Sequence, residues 1–248
     1  MKLEIKDVCI EIGGKKVVDG TDLNVNSGEL HVLMGPNGCG KSSLAKGVMG
    51  HPDYKIKSGK VLVDGKEINE LPANERAKLG LFLQFQEPVE IEGLGILNFL
   101  NAARNSMKRD TKSVREFMNE VKERSSGLKL KEDLVGRSLN AGFSGGEKKR
   151  CETLQMALLQ PKYVLLDEID SGLDVDALRI ISHDILRLRK ERGFGVMVVT
   201  HYARILKFLK PDFVHVLHMG KLIRSGNAAL AARIEREGYD KIIGDGSR

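Results

Sequence analysis

Read only as hydrophobic and polar positions, the chain switches between short apolar runs and longer amphipathic ones. Leu3–Ile12 alternates apolar and polar residues, as an antiparallel strand with one wet face does. Leu30–Met34 is a short apolar run that stops at Gly35, and Lys41–Met49 then reads as a helix. Lys60–Val63 with the Asp64-Gly65 turn reads as a hairpin, and Leu81–Phe85 as another buried strand. From about Glu87 to Gln160 the pattern becomes polar and helical, with charged runs such as Lys112–Arg124, and it reads as a helical insertion. Tyr163–Leu166, Val196–Thr200 and Phe213–Leu217 return to buried-strand composition. Helices are predicted between them over Asp174–Arg192 and Tyr202–Leu209, and a final polar helix over Ala228–Glu237, ending near Gly238. Strands alternating with helices indicate an α/β layered domain.

Composition narrows this picture. The 248 residues, 41% of them hydrophobic, suffice for one large domain or one domain with an insertion. No run approaches the ~18 apolar residues of a membrane-spanning helix. The strand-like N-terminus lacks the apolar stretch and cleavage site of a secretion signal. A soluble, cytoplasmic protein with no direct membrane insertion is expected. The net charge is +6, but Lys and Arg are spread along the chain. That describes a solvated surface better than a nucleic-acid footprint, so no nucleic-acid partner is expected. Cys9, Cys39 and Cys151 have no CxxC or His-paired spacing, so neither a disulfide framework nor a zinc site follows. His31, His215 and His218 fall in strand regions and read as core or edge histidines.

Chemistry concentrates in two places. Gly35-Pro36-Asn37-Gly38-Cys39-Gly40-Lys41-Ser42, followed by Ser43, matches the phosphate-loop pattern G-x-x-x-x-G-K-S/T. Its glycines let backbone N–H groups surround phosphate oxygens, Lys41 reaches the β/γ-phosphates, and the Ser42 hydroxyl can bind Mg²⁺. The helix starting near Lys41 adds its positive end. Cys39 reads as a small filler. ATP and Mg²⁺ are therefore the expected ligands. Further on, the strand Tyr163–Leu166 ends in Asp167 and Glu168, which should point to different places because side chains alternate along a strand. One acid can hold Mg²⁺, directly or through water, and the other can orient and deprotonate water.

Other segments carry a resemblance. Phe143-Ser144-Gly145-Gly146-Glu147 resembles the signature of ABC-type ATPases, and Ser171-Gly172-Leu173-Asp174 their D-loop. His201 resembles their switch histidine; Gln86 matches their Q-loop glutamine better than Gln84 does. Ser144 and Glu147 are also spaced as a capping box, so a well-capped helix and an anion-facing helix start coincide here. The resemblance covers nearly the whole chain. It implies the ABC ATPase fold: a P-loop core with a mixed sheet (1–86 and 161–248), an antiparallel β subdomain, and a helical subdomain (87–160), all within one domain. It also implies roles. Ser42, Gln86 and Asp167 would surround Mg²⁺, Glu168 would be the general base, and His201 would position water and the γ-phosphate. Ser144, Gly145, Gly146 and Asp174 would serve nucleotide held by another chain, in a transient ATP-dependent head-to-tail homodimer. The region Ile10–Val18, with Ile12 nearest, has no aromatic residue for adenine stacking.

Within the family, Ile169-Asp170 stands where transporters usually place Pro-Thr or Pro-Ser. That segment, together with Phe85–Ile91, Gly142–Arg150, Thr200–Leu206 and Pro211–Leu217, resembles the ATPase subunits of the SUF iron–sulfur cluster assembly machinery. This implies SufB-like and SufD-like scaffold partners, with the insertion and the region after Gln86 as the docking surface. The alternatives are an ABC transporter's ATP-binding subunit and a DNA-associated ABC clamp. The insertion is too short for the clamp and lacks sustained heptads.

Overall fold

The computed structural model describes residues 1–107, 113–131, 133 and 136–244. Lys112, the first residue of the expected charged run, lies outside them. The alternating N-terminal run becomes β1 (Lys2–Ile12), paired antiparallel with β2 (Lys15–Asn26). The chain then passes through β3 (Leu30–Met34) and α1 (Lys41–Met49). It returns as β4 (Lys55–Val63) on the free edge of β1 and closes that sheet with the short β5 (Lys66–Glu67). Asp64 and Gly65 both have positive φ, 52° and 82°, the backbone that a tight two-residue hairpin demands.

The remaining elements, in chain order, are α2 (Ala73–Leu79), β6 (Leu81–Gln84), β7 (Ile91–Gly95), α3 (Ile96–Ser106), α4 (Val114–Gly127), β8 (Ser138–Leu139) and α5 (Gly145–Leu159). They continue with β9 (Tyr163–Asp167), α6 (Val175–Arg192), β10 (Gly195–Val199), α7 (Leu206–Leu209), β11 (Phe213–His218), β12 (Lys221–Gly226) and α8 (Ala228–Gly244). Every residue of β3, β9 and β10 is buried, as expected of central parallel strands covered on both faces. They form a mixed six-stranded sheet ordered β12-β11-β3-β10-β9-β6, parallel except for β12. Alternation divides their side chains between two cores. Leu33, Leu165 and Met197 join Leu44, Val48 and the antiparallel sheet's Ile5 and Ile10. Val32, Val164 and Val198 meet Ile181 and Ile185 of α6 and Ile234 of α8.

A third apolar cluster gathers Leu100, Phe117, Val121, Leu128, Leu154 and Leu158 from α3, α4, α5 and the loop after α4. Helix α5 contributes Met156 and Ala157 to the α6 core and Cys151, Leu154 and Leu158 to this third one, so it bridges the two. Three sequence expectations need correction. The 87–160 stretch is not helical throughout, because β7 and β8 pair antiparallel within it. Tyr202–Leu209 is a 3-10 turn at Ala203–Ile205 followed by the single turn of α7. The last helix breaks at Gly238 (φ 78°, ψ 168°), as its glycine suggests, but helical turns resume as far as Gly244.

Candidate active site

The strand order sets β3, β10, β9 and β6 side by side. In open α/β sheets, ligands bind beyond the carboxyl ends of such strands. Each of these four ends is followed by a loop bearing an expected site residue, and there a cleft of about 440 Å³ opens. Asn37, Gly38, Gly40, Lys41, Ser42 and Ser43 line one side, and Gln86, Glu168 and His201 the other.

The loop after β3 is wedged between two other backbones. A Cβ on Gly35 would lie 2.2 Å from Leu217 O, and one on Gly40 (φ +107°) would lie 2.4 Å from Val17 O, so only glycine fits. Gly40 also precedes α1 without a side chain to cap it, leaving first-turn N–H groups to face an anion. Lys41 Nζ donates to the carbonyls of Gly35 (2.8 Å) and Pro36 (2.9 Å), so these two residues brace the lysine. Cys39 turns into the core below, where burial pushes its thiol pKa up; it is the filler expected.

The two acids diverge as expected, but through a turn rather than strand alternation, because β9 ends at Asp167 and Glu168 lies beyond it. Asp167 is fully buried at the end of β9 and accepts the Ser42 hydroxyl on Oδ1 at 2.7 Å. Burial raises its pKa; the Ser42 hydrogen bond and the nearby Lys46 and Lys41 charges oppose that. Glu168 sits in the left-handed region (φ 47°), a conformation of order 1–3 kcal/mol above the favoured ones for a residue with a Cβ. Three backbone contacts hold it there: its N–H donates to Val199 O (2.9 Å), and its carbonyl accepts from Ser171 N–H (3.0 Å) and from Lys149 Nζ (2.6 Å). The turn throws the Glu168 carboxylate into the cleft. Its Oε2 accepts from Gln86 Nε2 at 2.7 Å, and its Oε1 lies 3.2 Å from His201 Nδ1. Gln84 is buried instead and donates to Lys149 O (3.2 Å), leaving Gln86 as the glutamine at the cleft.

The signature residues stand apart. Ser144 caps α5, accepting from Glu147 N–H at 3.3 Å while Glu147 Oε2 accepts the Ser144 N–H at 2.9 Å. Ser144 and Gly145 are exposed and Gly146 half-buried, and none lines the cleft. Asp174 is likewise outside it, capping α6 through a 2.7 Å bond from Ala177 N–H. Three residues near the cleft had no role of their own in the sequence, although Val17 falls in the Ile10–Val18 region and Ser171 in the D-loop segment. Val17, rather than Ile12, supplies its apolar edge, and Ser171 lines it directly. Lys149 reaches Glu168 from α5, and a lysine in a polar helical run gives no local hint of burial.

A cleft with this loop, an acid pair on one strand end and a glutamine and histidine converging on the second acid belongs to a nucleotide-hydrolysing cassette. The profile of the ABC transporter family matches residues 18–171. The chain belongs to that family, as an ABC-type ATPase. It is 47% identical to a probable ABC transporter ATP-binding protein of Streptococcus pyogenes, over 98% of this chain and 95% of that one. It is 46% identical to vegetative protein 296 of Bacillus subtilis (97% and 92%) and 42% identical to the probable ATP-dependent transporter ycf16 of Cyanophora paradoxa (96% and 93%). Among solved structures, the ATP-binding subunit of an ABC transporter superposes with a TM-score of 0.81 at 22% identity, covering all of both chains. A dimeric bacterial ABC transporter cassette gives 0.78 at 24%, over 91% of this chain and 98% of that one. These likenesses establish the ABC ATPase fold.

Proposed function

We propose that the cleft binds ATP and that Glu168 is the base for its hydrolysis, in a head-to-tail pair of chains. The observation that carries this reading is the convergence of Gln86 and His201 on the Glu168 carboxylate, in a cleft also lined by Lys41 and Ser42, with Asp167 buried behind Ser42. Lys41 and the loop amides bind the phosphates. Glu168 takes a proton from the attacking water while Gln86 and His201 orient it. Ser144 and Gly145 of a second chain close the cleft. Asp167 Oδ2 is buried without a hydrogen-bond partner among the described residues, beside the Ser42 hydroxyl, and hard oxygen donors of this kind suit Mg²⁺. Ser42, Asp167 and Gln86 would hold that ion, which, when bound, neutralises charge on the β- and γ-phosphate oxygens.

Positioning and charge stabilisation dominate phosphoryl transfer, and loss of a general base costs ~10²–10⁴-fold. Glu168→Gln should therefore bind ATP normally in a fluorescence titration and lose turnover by that order; near-normal steady-state turnover would sink the assignment. Lys41→Ala should instead weaken nucleotide binding, and an unchanged dissociation constant would count against the loop.

For the biological setting we propose a SufC-type subunit. Its ATP-driven pairing would rearrange SufB-like and SufD-like scaffolds during iron–sulfur cluster assembly, with 87–160 as the docking surface. Ile169-Asp170 in place of Pro-Thr or Pro-Ser supports this. The second reading, a transporter's ATP-binding subunit, is favoured by the names of the Streptococcus and Cyanophora relatives. No helix among the described residues is long and apolar enough to cross a membrane, so the span would then belong to a partner. Native pull-down with mass spectrometry separates the two: soluble scaffolds support the first, a membrane permease the second.

A further inference from the structure

Asp170 stands where transporter cassettes usually carry a small hydroxyl residue, and the hydrolytic reading gives it no task. Its side chain is 1% exposed and lies outside the cleft lining. The carboxylate accepts the Thr200 hydroxyl, 3.2 Å from one oxygen and 3.1 Å from the other. The same Thr200 oxygen accepts Tyr202 N–H at 3.0 Å. A hydroxyl donates once and accepts through its lone pairs, so both bonds form together. The residues on either side of His201 thus hang from one carboxylate. A second tie comes from beyond the turn. Arg204 donates to the Asp170 carbonyl, and its Nε lies 3.9 Å from Asp170 Oδ2. The guanidinium sits over the Tyr202 ring, 5.4 Å from the centroid, and that ring packs on His201 with centroids 3.7 Å apart. Thr or Ser at position 170 could hydrogen-bond Thr200 but would offer Arg204 no charge.

We infer that Asp170 is a positioning residue for hydrolysis: through Thr200 and Arg204 it fixes the Thr200-His201-Tyr202 turn so that His201 meets Glu168, without itself touching the nucleotide. This rests on the proposed roles of Glu168 and His201. The test measures kcat and KM for ATP with Thr200→Val, Thr200→Ser, Asp170→Ala and the double variant Asp170→Ala/Thr200→Val. Thr200→Val keeps the shape and removes the link, so it probes the inference even if Asp170 variants fold poorly. Misplacing a positioned group can cost ~10²-fold, so Thr200→Val should lower kcat by about 10–100-fold. KM should stay within about twofold, and Thr200→Ser should restore most of the rate. The double variant should be no slower than Asp170→Ala alone, because the alanine already removes the acceptor that the Thr200 hydroxyl serves. A Thr200→Val kcat within about twofold of the parent protein, a KM that rises as kcat falls, or losses that multiply in the double variant would each overturn the inference. Glu168→Gln in the same assay keeps the two readings apart. Retained turnover there would overturn the base assignment. An inactive Glu168→Gln beside an unaffected Thr200→Val would overturn the role of Asp170 alone.

Discussion

At the scale of single residues, the most consequential polar group outside the cleft is a buried pair of histidines. His31 Nε2 lies 3.0 Å from Glu29 Oε2, His31 Nδ1 lies 3.0 Å from His215 Nε2, and His215 Nδ1 lies 2.8 Å from Ser225 Oγ. With both rings neutral, one assignment satisfies every contact: each ring carries its proton on Nε2, and Ser225 donates to His215. A proton added to His31 would have to sit on Nδ1, facing the His215 N–H. Burial lowers both pKa values, and His215, which also feels His31, falls to about 4. An unfolded imidazole titrates near ~6.5, so between ~6.5 and about 4 the unfolded chain binds more protons than the folded one. The stabilising contribution of His215 is therefore complete above that window and is lost as pH falls through it, by up to roughly 3 kcal/mol. Urea denaturation at about pH 7.5 and about pH 5 should show the loss. His215→Gln, which keeps polar partners without titrating, should flatten it. An equal pH slope in the variant would assign the acid lability elsewhere.

At the scale of elements, α1 carries the phosphate loop at one end and needs an anchor at the other. Arg76 of α2 supplies it. Its side chain, 3% exposed, donates to the carbonyls of Gly47 (2.9 Å) and Val48 (2.8 Å) in the last turn of α1, and to Leu71 (2.7 Å) and Asn69 (2.6 Å) beside it. A cation suits a helix C-terminus, and removing it strands several buried acceptors. Arg76→Leu should lower unfolding free energy by about 2–4 kcal/mol in chemical denaturation; a loss under about 0.5 kcal/mol would deny the anchor. No local pattern announces this residue, and the same limit explains what was legible in the chain. β3 and α1 were readable to the residue because an apolar run meets a glycine loop whose chemistry is local. Asp167 and Glu168 were readable because an apolar strand ends in two adjacent acids, although a left-handed turn at Glu168, not alternation, separates them. The strand β2 was not, since Gly20 and its charges interrupt the alternation and its order comes from β1 beside it. The short α2 begins at Pro72 without a side-chain cap, and β7 and β8 find each other only across α3 and α4. Val17 reaches the cleft, and Lys149 the Glu168 carbonyl behind it, by packing of distant elements, which spacing along the chain does not encode.

At the scale of the whole molecule, the two halves of the proposed chemistry face different ways. The cleft collects Lys41, Gln86, Glu168 and His201, whereas Ser144 and Gly145 lie exposed at the free start of α5, whose later turns are locked into two cores. Val175 and Tyr202, exposed apolar side chains next to Asp174 and His201, add surface suited to burial against a second chain. In a two-fold pair each interface is self-complementary, so the phosphate loop of either chain would meet the Ser144 segment of the other, giving two identical sites. This arrangement makes a prediction that a single-chain site cannot reproduce. Lys41→Ala lacks a working loop but keeps its signature; Ser144→Arg keeps its loop but blocks its signature. Each alone should be inactive. In an equimolar mixture, half of the pairs are mixed, and each mixed pair holds one intact site of two, so independent sites should recover about a quarter of the parent rate. The recovery should rise and fall with mixing ratio, peaking at equal amounts, when ATPase activity is followed across a titration of one variant into the other. A mixture as inactive as its parents at every ratio would argue that Ser144 does not complete the site of a second chain.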